Sequence, residues 1–308
     1  MNLIIGGTGF VGGHLVEYLF QQGEISKGLF RKGSHLKIMD TNGVQGIEGD
    51  VLDHHSLHEG MEGGVDTVFN LASSNPLEDT EFLKVNTEGI LNILEVANES
   101  GVKTIVHVST LDVYGFRSKD VTLSAPIAPA NEYQKAKAES ERLLGEYSKR
   151  KPSPRIVILR PAKAVGSRDE SLVLPILRMA KAGKVTVPDS GRMSFTHPTD
   201  IAQAMLKAST GASPSGSVYL LKSFDSTIQE LAQSMVAETG MKAEVKRQGM
   251  FGGSSFSRYT SQQLKATLTI AAQDNWKELG YSPAFTLEST VQEIAKWYKK
   301  DPWAVEDN

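Results

Sequence analysis

The sequence opens with MNLIIGGTGFVGGHLVEYL, residues 1–19, and this stretch decides the fold. The apolar run Asn2–Gly6 predicts a buried strand, and Gly6, Gly9 and Gly12 form a Gly-x-x-Gly-x-x-Gly turn that leads into a helix. Glycine lets the backbone turn tightly and lets its N–H groups approach a pyrophosphate at the helix N-terminus. A strand, a glycine turn and a helix in this order predict the first unit of a dinucleotide-binding fold.

The alternation of strands and helices continues through the first half of the chain. Short runs rich in Leu, Ile and Val predict strands that are buried on both faces, as in a parallel sheet. Longer helical patterns lie between them. The predicted strands are Asn2–Gly6, Ile25–Arg31, Gly43–Glu48, Thr67–Leu71, Lys103–Ser109 and Arg155–Arg160, and the predicted helices are Gly9–Gln22, Glu81–Ser100 and Asn131–Lys149.

After Arg160 the pattern loosens and predicts a second, smaller lobe. The strand Val218–Leu221 returns to the sheet, and Ser226 and Gln229 have the spacing of a capping box that starts a helix. We therefore predict an α/β protein, a Rossmann-type doubly wound parallel sheet with a smaller, mainly helical substrate-binding lobe. The sheet domain is assigned to residues 1–160 with about 196–222, and the lobe to residues 161–195 and 223–308. Further helices are predicted near Ser171–Ala182, Pro198–Ala208 and Leu287–Lys300.

The composition excludes several classes of protein. The 308 residues are 40% hydrophobic and 22% charged, which is typical of a globular protein and not of a disordered chain. A net charge of −3 lacks the basic footprint of a nucleic-acid binder, and the absence of cysteine excludes thiolate catalysis and cysteine-ligated metals. No apolar run approaches the roughly 18 residues of a membrane span, and no signal segment precedes the first strand. We expect a cytoplasmic protein that acts on a small molecule, with no nucleic-acid or membrane partner.

The end of the second predicted strand bears on the choice of cofactor. A protein that binds NAD places Asp or Glu there to accept from the ribose 2′-hydroxyl. This chain has Phe30 followed by Arg31 and Lys32. Phe30 cannot accept that hydrogen bond, whereas the two cations can pair with a 2′-phosphate. The sequence favours NADP(H) and leaves NAD(H) possible; two solvated surface cations are the alternative interpretation.

Two polar groups follow the third predicted strand. Asp50 could accept from the adenine amino group, with Val51 beside the ring. The alternative is a strand-end turn in which Asp53 caps the next helix. His54 and His58 then have helical i, i+4 spacing, with His55 between them, but no nearby carboxylate completes a metal-ligand set. We predict surface histidines and no metal site.

Tyr133 and Lys137 carry the predicted chemistry. At i and i+4 they lie on one face of a helix, where an ammonium, together with a cationic oxidised nicotinamide, stabilises a phenolate and lowers the tyrosine pKa from about 10. Thr110 follows the strand that ends at Ser109, and the ligand crevice of a parallel sheet lies at the carboxyl ends of its strands. A hydroxyl at that place can hold a substrate carbonyl beside the tyrosine. The pattern predicts proton transfer at a carbonyl or alcohol oxygen.

These motifs together resemble the extended short-chain dehydrogenases/reductases, of the NAD(P)-dependent epimerase/dehydratase and 3β-hydroxysteroid dehydrogenase kind. The resemblance covers almost the whole length. Besides the glycine turn, Asp50 and the pair Tyr133 and Lys137, it includes NLAS at 70–73, VNTEG at 85–89, STLDVYG at 109–115, LRP at 159–161 and FTHPTD at 195–200.

The resemblance implies a role for each matching position. Tyr133 is the general acid/base, Lys137 lowers its pKa and holds the nicotinamide ribose, and Thr110 binds the carbonyl. Asn86 supports the lysine through water, and Lys163 lies in a stretch whose backbone borders the nicotinamide. The cofactor-binding residues that we predict are Gly6, Thr8, Gly9, Phe10, Val11, Gly12, Arg31, Lys32, Asp50, Val51, Leu71, Ala72, Ser73, Tyr133, Lys137, Pro161 and Lys163.

Departures from the family pattern narrow the activity. The 4,6-dehydratases of the family carry Thr-Asp-Glu where this chain has Thr110-Leu111-Asp112, so the acid that drives water loss is replaced by Leu111. Arg31 resembles the family's NADPH-using ketone and aldehyde reductases. We predict an NAD(P)(H)-dependent, NADP-preferring oxidoreductase that interconverts a secondary alcohol and a carbonyl. The alternatives are a nucleotide-sugar epimerase with tightly bound NAD and a non-catalytic NADP-sensing protein.

One predicted helix is apolar around most of its surface, which bears on whether the chain forms an oligomer. The predicted helix Glu81–Ser100 carries more apolar residues than one sheet-facing stripe needs, and the helix of Tyr133 adds Leu143, Leu144 and Tyr147. Relatives pair these two helices into an intersubunit four-helix bundle, which predicts a homodimer. The alternative is that both helices are buried under the second lobe. The apolar positions are Phe82, Leu83, Val85, Ile90, Leu91, Ile93, Leu94, Val96 and Ala97.

Overall fold

The computed structural model describes residues 1–34, 36–73, 82–116, 119–248, 255–271 and 275–300. Its strands are β1 (Asn2–Ile5), β2 (Ser26–Phe30), β3 (Gln45–Glu48), β4 (Thr67–Asn70), β5 (Thr104–Val108), β6 (Arg155–Pro161), β7 (Lys163–Ala164), β8 (Lys184–Val187), β9 (Met193–Thr196), β10 (Ser217–Leu221), β11 (Phe224–Ser226) and β12 (Glu244–Arg247).

The helices connect these strands, and none of those described combines the length and the hydropathy that a membrane-spanning segment requires. They are α1 (Phe10–Gln21), α2 (Lys37–Thr41), α3 (His54–Met61), α4 (Phe82–Asn86), α5 (Glu88–Glu99), α6 (Glu132–Tyr147), α7 (Val173–Lys181), α8 (Pro198–Thr210), α9 (Ile228–Thr239), α10 (Arg258–Leu264), α11 (Asn275–Glu278) and α12 (Leu287–Lys300), with a 3-10 turn at Leu111–Tyr114.

Seven strands form one parallel sheet in the order β3-β2-β1-β4-β5-β6-β10. The order reverses between β1 and β4, so the connections leave the sheet in opposite directions there and open a crevice at the carboxyl ends. Alternate side chains of β1 enter two separate cores. Leu3 packs with residues of α3, α5 and α6, whereas Ile4 packs with residues of α1 and α8. The predicted doubly wound α/β fold is confirmed.

The second lobe contains more strand than the predicted, mainly helical lobe. It has a three-stranded sheet, β11-β9-β7, and a two-stranded sheet, β12-β8. The lobe's core packs α7, α9 and α12 against these strands. The pairing of β8 with β12 joins segments far apart in the chain. Neither segment is long or apolar enough for its sequence to predict a strand. The domain boundaries given above stay a prediction.

Two local predictions need correction. The capping box lies one residue later than predicted: Thr227 accepts from the N–H of Glu230, and the Glu230 carboxylate accepts from the N–H of Thr227. The helix predicted at Glu81–Ser100 is divided, because α4 ends at Asn86 and α5 begins at Glu88. The Asn86 carbonyl accepts from Ser140 Oγ of α6 at 2.6 Å, and this bond to a neighbouring helix accompanies the break.

The apolar faces of α5 and α6 are covered within the chain. Ile93 and Leu94 of α5 and Leu144 of α6 are fully buried in one core with the sheet and α3. The alternative to a dimer interface, burial of these side chains, therefore accounts for most of the apolar pattern, although the cover is the sheet rather than the second lobe. Leu83 of α4 is the exception, with 57% of its surface exposed.

A buried polar cluster joins the two lobes. His14 of α1 donates through Nδ1 to the Phe10 carbonyl, and its Nε2 lies 3.4 Å from Ser167 Oγ. Ser167 Oγ donates to Glu293 of α12 at 2.5 Å, and His197 Nε2 lies 3.6 Å from the same carboxylate. Burial, with a contribution from the Arg168 cation, lowers the pKa of His14 to about 4. The cluster therefore holds His14 in its neutral form.

This depressed pKa makes stability depend on pH. An unfolded histidine has a pKa of about 6.5, so on acidification the unfolded chain takes up a proton that folded His14 refuses. The contribution of neutral His14 to the free energy of unfolding is therefore complete above about pH 6.5 and is lost as the pH falls towards 4. We expect His14→Asn to reduce the loss of unfolding free energy between pH 7 and pH 4.5 by roughly 2 kcal/mol, measured by urea denaturation. His55→Asn, at an exposed position of α3, is the control, and an unchanged pH profile for His14→Asn would contradict this account.

Candidate active site

Two adjoining cavities lie at the carboxyl edge of the sheet, where the strand order reverses. The first has a volume of about 420 Å³ and is lined by the loops after β1, β2, β3 and β4. The second has a volume of about 440 Å³ and is lined by residues after β5 and β6, by α6 and by α10 of the second lobe. Val11, Leu71 and Ser73 belong to both walls, so the cavities form one continuous cleft.

The glycine turn shapes one end of the first cavity. Gly6 has a φ of +84°, and a Cβ there would lie 2.8 Å from the Leu71 carbonyl oxygen. A Cβ on Gly12 would lie 2.0 Å from the Gly6 carbonyl oxygen, closer than any side chain allows. Gly9 is the N-cap residue of α1 and provides no side-chain cap, so the N–H groups of the first turn are left for a ligand. This cradle fits the pyrophosphate of a dinucleotide.

Most of the predicted cofactor-binding residues line the first cavity. Arg31 does so, together with Ser34, which no sequence motif indicated, and Val85, which lies in the VNTEG motif but was not predicted to bind the cofactor. Lys32 is exposed and lies outside the wall. The predicted residues in this wall are Gly6, Thr8, Gly9, Phe10, Val11, Gly12, Arg31, Asp50, Val51, Leu71, Ala72 and Ser73.

Both interpretations of the stretch after β3 have a counterpart in the structure. Asp50 lines the first cavity, while its Oδ1 accepts from the Leu52 N–H at 2.9 Å. Asp53 caps α3 by accepting from the N–H groups of His55 and Ser56. His54 contacts Asn92 Oδ1 at 2.9 Å, and His58 lies 3.2 Å from Glu99. Within the described ranges no group of side chains has the make-up of a metal site.

The second cavity brings together the predicted catalytic residues of α6 and of the loop after β5. Thr110, Tyr133 and Lys137 line it, as do Pro161 and Lys163. Thr110 Oγ1 accepts from the Asp112 N–H at 3.1 Å and caps the 3-10 turn. Lys163 Nζ donates to Ser171 Oγ at 2.7 Å, which is itself bonded to Asp169.

Asn86 does not join this group. Its side-chain Nδ2 donates to the Phe82 carbonyl at 2.9 Å, one turn back in α4, and Asn86 lies outside the walls of both cavities. Its backbone carbonyl accepts a hydrogen bond from Ser140, which lies on α6 one turn after Lys137. Asn86 thus supports the packing of α4 on the helix that carries Lys137.

Burial shifts the pKa values of Tyr133 and Lys137 in opposite directions. The Tyr133 ring stacks on Phe82 with centroids 5.6 Å apart and meets the edge of Tyr259 at 5.0 Å. Desolvation, with the nearby Asp112 carboxylate, raises the pKa of Tyr133 above its usual 10 or so. Desolvation lowers the pKa of Lys137 to about 8, against the opposing pull of Glu141. Burial therefore opposes the lowering of the tyrosine pKa that the sequence predicted, and it favours the protonated phenol.

A buried ion pair joins α6 to β6 next to the second cavity. Arg160 of β6 donates through Nε to both carboxylate oxygens of Glu141 at 3.0 Å, and Ser109 Oγ donates to the same carboxylate. Glu141 is one turn after Lys137 on α6. Arg160 also donates to the Tyr114 hydroxyl. Sequence reasoning did not single out this network, although Glu141 has the i+4 spacing from Lys137 and Arg160 lies in a motif.

The second lobe adds a polar group that the sequence did not indicate. Asp112 is only 3% exposed, and its Oδ2 accepts from the hydroxyl of Tyr259 and from Gln263 Nε2 at 2.8 Å. Tyr259 and Gln263 belong to α10, so the contact crosses from lobe to sheet domain. More than 140 residues separate these partners along the chain, and no local pattern links them.

A model of the NAD dependent epimerase/dehydratase family matches residues 2–221, which include the glycine turn, Tyr133 and Lys137. The chain belongs to this family. Because the family and the chain's homologues consist of NAD(P)-dependent enzymes of the extended short-chain dehydrogenase/reductase class, this protein is an enzyme of that class.

Members with different activities resemble this enzyme to similar degrees. It is 32% identical over 193 residues to N-acetyl-alpha-D-glucosaminyl-diphospho-ditrans,octacis-undecaprenol 4-epimerase of Escherichia coli O157:H7, covering 61% of this chain and 56% of the relative. It is 33% identical over 190 residues to the decarboxylating sterol-4-alpha-carboxylate 3-dehydrogenase of Bos taurus, covering 59% and 51%. The chain thus spans about half the length of these two relatives.

Solved structures agree on the fold. UDP-glucose 4-epimerase from Bifidobacterium longum, solved in complex with NAD+ and UDP, superimposes with a TM-score of 0.81 at 21% identity and covers 98% of both chains. At that identity the likeness establishes the shared architecture of sheet and lobe.

Proposed function

We propose that this protein is an NADP(H)-preferring oxidoreductase that reduces a carbonyl to a secondary alcohol and catalyses the reverse reaction. The observation that carries the proposal is the shared cavity of Thr110, Tyr133 and Lys137, in which burial keeps the Tyr133 phenol protonated. A protonated phenol is the form that can donate to a carbonyl oxygen during reduction. The adjoining glycine-lined cavity supports dinucleotide binding next to it.

The residues of the two cavities divide the work. Gly6–Gly12, Arg31 and Asp50 would hold the adenine half of the cofactor, and Lys137 the nicotinamide ribose. The nicotinamide supplies or accepts the hydride when bound. Thr110 Oγ1 accepts from the Asp112 N–H, which leaves the Thr110 hydroxyl proton to donate to the substrate oxygen. Thr110 and Tyr133 together stabilise the negative charge that grows on that oxygen in the transition state.

Lys137 has a second task once Tyr133 gives up its proton. A buried phenolate is costly unless a positive charge lies close to it. Lys137 is one turn along the same helix face, and its pKa of about 8 leaves it mostly an ammonium near neutral pH. We infer that the ammonium stabilises the phenolate and that this balance sets the pH range of the reaction.

Cofactor choice rests on the first cavity. Arg31 lines it at the end of β2, and the position that carries an acid in NAD enzymes is Phe30. A guanidinium at this point favours a ligand with a 2′-phosphate. NAD(H) remains the alternative cofactor, in keeping with the NAD-containing structure described above.

A nucleotide-sugar epimerase is the second candidate, supported by the likeness to epimerases in sequence and in structure. The Asp112 carboxylate in the second cavity argues against it, because a buried negative charge repels a diphosphate. Denaturation of the purified protein separates the two candidates. Stoichiometric NAD released from freshly purified protein would favour the epimerase, and an exchangeable NADP(H) would favour the reductase.

Tyr133→Phe tests the proposed chemistry. Removal of the phenol oxygen should leave the fold and the cofactor affinity nearly intact, and should lower single-turnover hydride transfer by the roughly 10²–10⁴-fold typical of a general acid/base. Lys137→Met should lower both turnover and cofactor affinity, because both functions rest on the ammonium. Tyr147→Phe, on the same helix but outside the cavity, is the control. If Tyr133→Phe transfers hydride at the wild-type rate, another group is the acid.

Arg31→Ala tests the cofactor preference. We expect weaker binding of NADP(H) with little change for NAD(H), since the lost charge-assisted contact of roughly 1.5–3 kcal/mol is made only to the 2′-phosphate. Titration of both cofactors gives the comparison, and Lys32→Ala, outside the cavity wall, should have the smaller effect. A wild-type protein that prefers NAD(H), or an equal loss for both cofactors in Arg31→Ala, would show the assignment to be wrong.

We also propose a homodimer formed through α4, α5 and α6, as the resemblance implies. The exposed Leu83 of α4 supports this surface, whereas the buried residues of α5 do not bear on it. Light scattering should give twice the monomer mass, and Leu83→Lys should shift the mass towards that of the monomer. A monomer mass for the wild type at assay concentration would contradict the proposal.

A further inference from the structure

The hydrogen bonds that the described residues donate to the Asp112 carboxylate reach one of its two oxygens. Its Oδ2 accepts from the Tyr259 hydroxyl and from Gln263 Nε2, but no described residue donates to Oδ1. The side chain is 97% shielded from solvent by the fold and lines the second cavity. A carboxylate oxygen has lone pairs for more than one hydrogen bond, so Oδ1 is left to accept from a further partner. The cavity is where that partner can come from.

The nearby cation does not supply this donor. Lys163 lines the same cavity and acts on Asp112 through its charge, but its ammonium donates to Ser171 Oγ. Burial raises the pKa of Asp112, and its contacts with Tyr259 and Gln263, together with Lys163, oppose that rise. The two donors occupy Oδ2, so Asp112 offers Oδ1 to a donor in the cavity.

Asp112 lies next to the reacting centre. Its own N–H donates to Thr110 Oγ1 at 3.1 Å, and the Tyr259 that binds its carboxylate meets the Tyr133 ring at a centroid distance of 5.0 Å. A carbonyl held between Thr110 and Tyr133 therefore has Asp112 beside it. A donor group near the reacting carbon is therefore placed to reach Asp112.

We propose that Asp112 recognises the substrate, and that the substrate is a hydroxy carbonyl compound or the corresponding diol. Its second hydroxyl, next to the reacting carbon, donates to Asp112 Oδ1. This inference rests on the proposed carbonyl chemistry of Tyr133 but assigns recognition to a different residue. A hydroxyl fits because it donates one hydrogen bond, whereas a phosphate or carboxylate at this place would face a like charge.

A matched pair of ligands tests the proposal by binding alone. 2-Hydroxyacetophenone and acetophenone differ by one hydroxyl beside the carbonyl, and their dissociation constants can be measured by ligand-observed NMR on the protein with NADP+. We expect the wild type to bind the hydroxy ketone about ten-fold or more tightly, the value of a hydrogen bond to a charged group. In Asp112→Asn, which keeps the shape and removes the charge, the ratio should fall several-fold towards 1.

Two further variants separate recognition from a structural role. Tyr259→Phe removes one donor from Oδ2 and leaves Asp112 in place, so the preference for the hydroxy ketone should persist. If Asp112 served only to hold α10, Tyr259→Phe would reproduce the Asp112→Asn result and overturn the proposal. Asp189→Asn, at an exposed carboxylate paired with Arg247, is the matched control for the change of charge.

The outcomes distinguish this inference from the proposed function. Equal binding of the two ketones by the wild type, or an equal loss of both in Asp112→Asn, would show that Asp112 does not recognise the hydroxyl. Absence of NADPH oxidation with either ketone, in the presence of a preserved binding ratio, would instead contradict the proposed reduction and leave the role of Asp112 supported.

Discussion

The buried ion pair between Glu141 and Arg160 is the contact on which the site depends. It joins α6 to the end of β6, and through Ser109 to the end of β5, so that the helix carrying Tyr133 and Lys137 is held against the loop carrying Thr110. A buried pair is favourable only when further hydrogen bonds complete both charges. Here Ser109 completes the carboxylate and Tyr114 the guanidinium. Because α6 has a single position relative to the sheet, the phenol and the ammonium have one as well.

Burial is also the cause of the unusual protonation in the second cavity. The same desolvation disfavours the charged form of both Tyr133 and Lys137, and it raises the pKa of one and lowers the pKa of the other. The two pKa values therefore move apart, that of Tyr133 above its usual range and that of Lys137 to about 8, so a neutral phenol next to an ammonium is the favoured state near neutral pH. The nearby Asp112 carboxylate contributes to the raised pKa of Tyr133 and so adds to the preference for the neutral phenol.

The second lobe completes the cavity with few residues. Tyr259 and Gln263 of α10 reach Asp112, and the polar cluster of Ser167, Glu293 and His197 joins α12 to the sheet domain. Both sets of contacts are polar and cross between the lobes. An apolar cluster crosses as well, because Leu111 and Val113 pack with Leu268 and Ile270. The position of α10, and with it the shape of the second cavity, therefore follows from these directional bonds together with the apolar packing of Leu264 in the lobe core.

Much of the fold and part of the site follow from local sequence patterns. The strand and helix periods predict the parallel sheet, the Gly6–Gly12 turn predicts a dinucleotide cradle, and i, i+4 spacing puts Tyr133 and Lys137 on one face. These signals are local because backbone geometry repeats over a few residues. Only the tertiary structure decided the direction of the Tyr133 pKa, the exclusion of Asn86 from the cavity, the strands of the second lobe and the partners of Asp112. Each of these depends on desolvation or on a hydrogen bond between segments far apart in the chain, and a single sequence carries no periodic trace of such contacts.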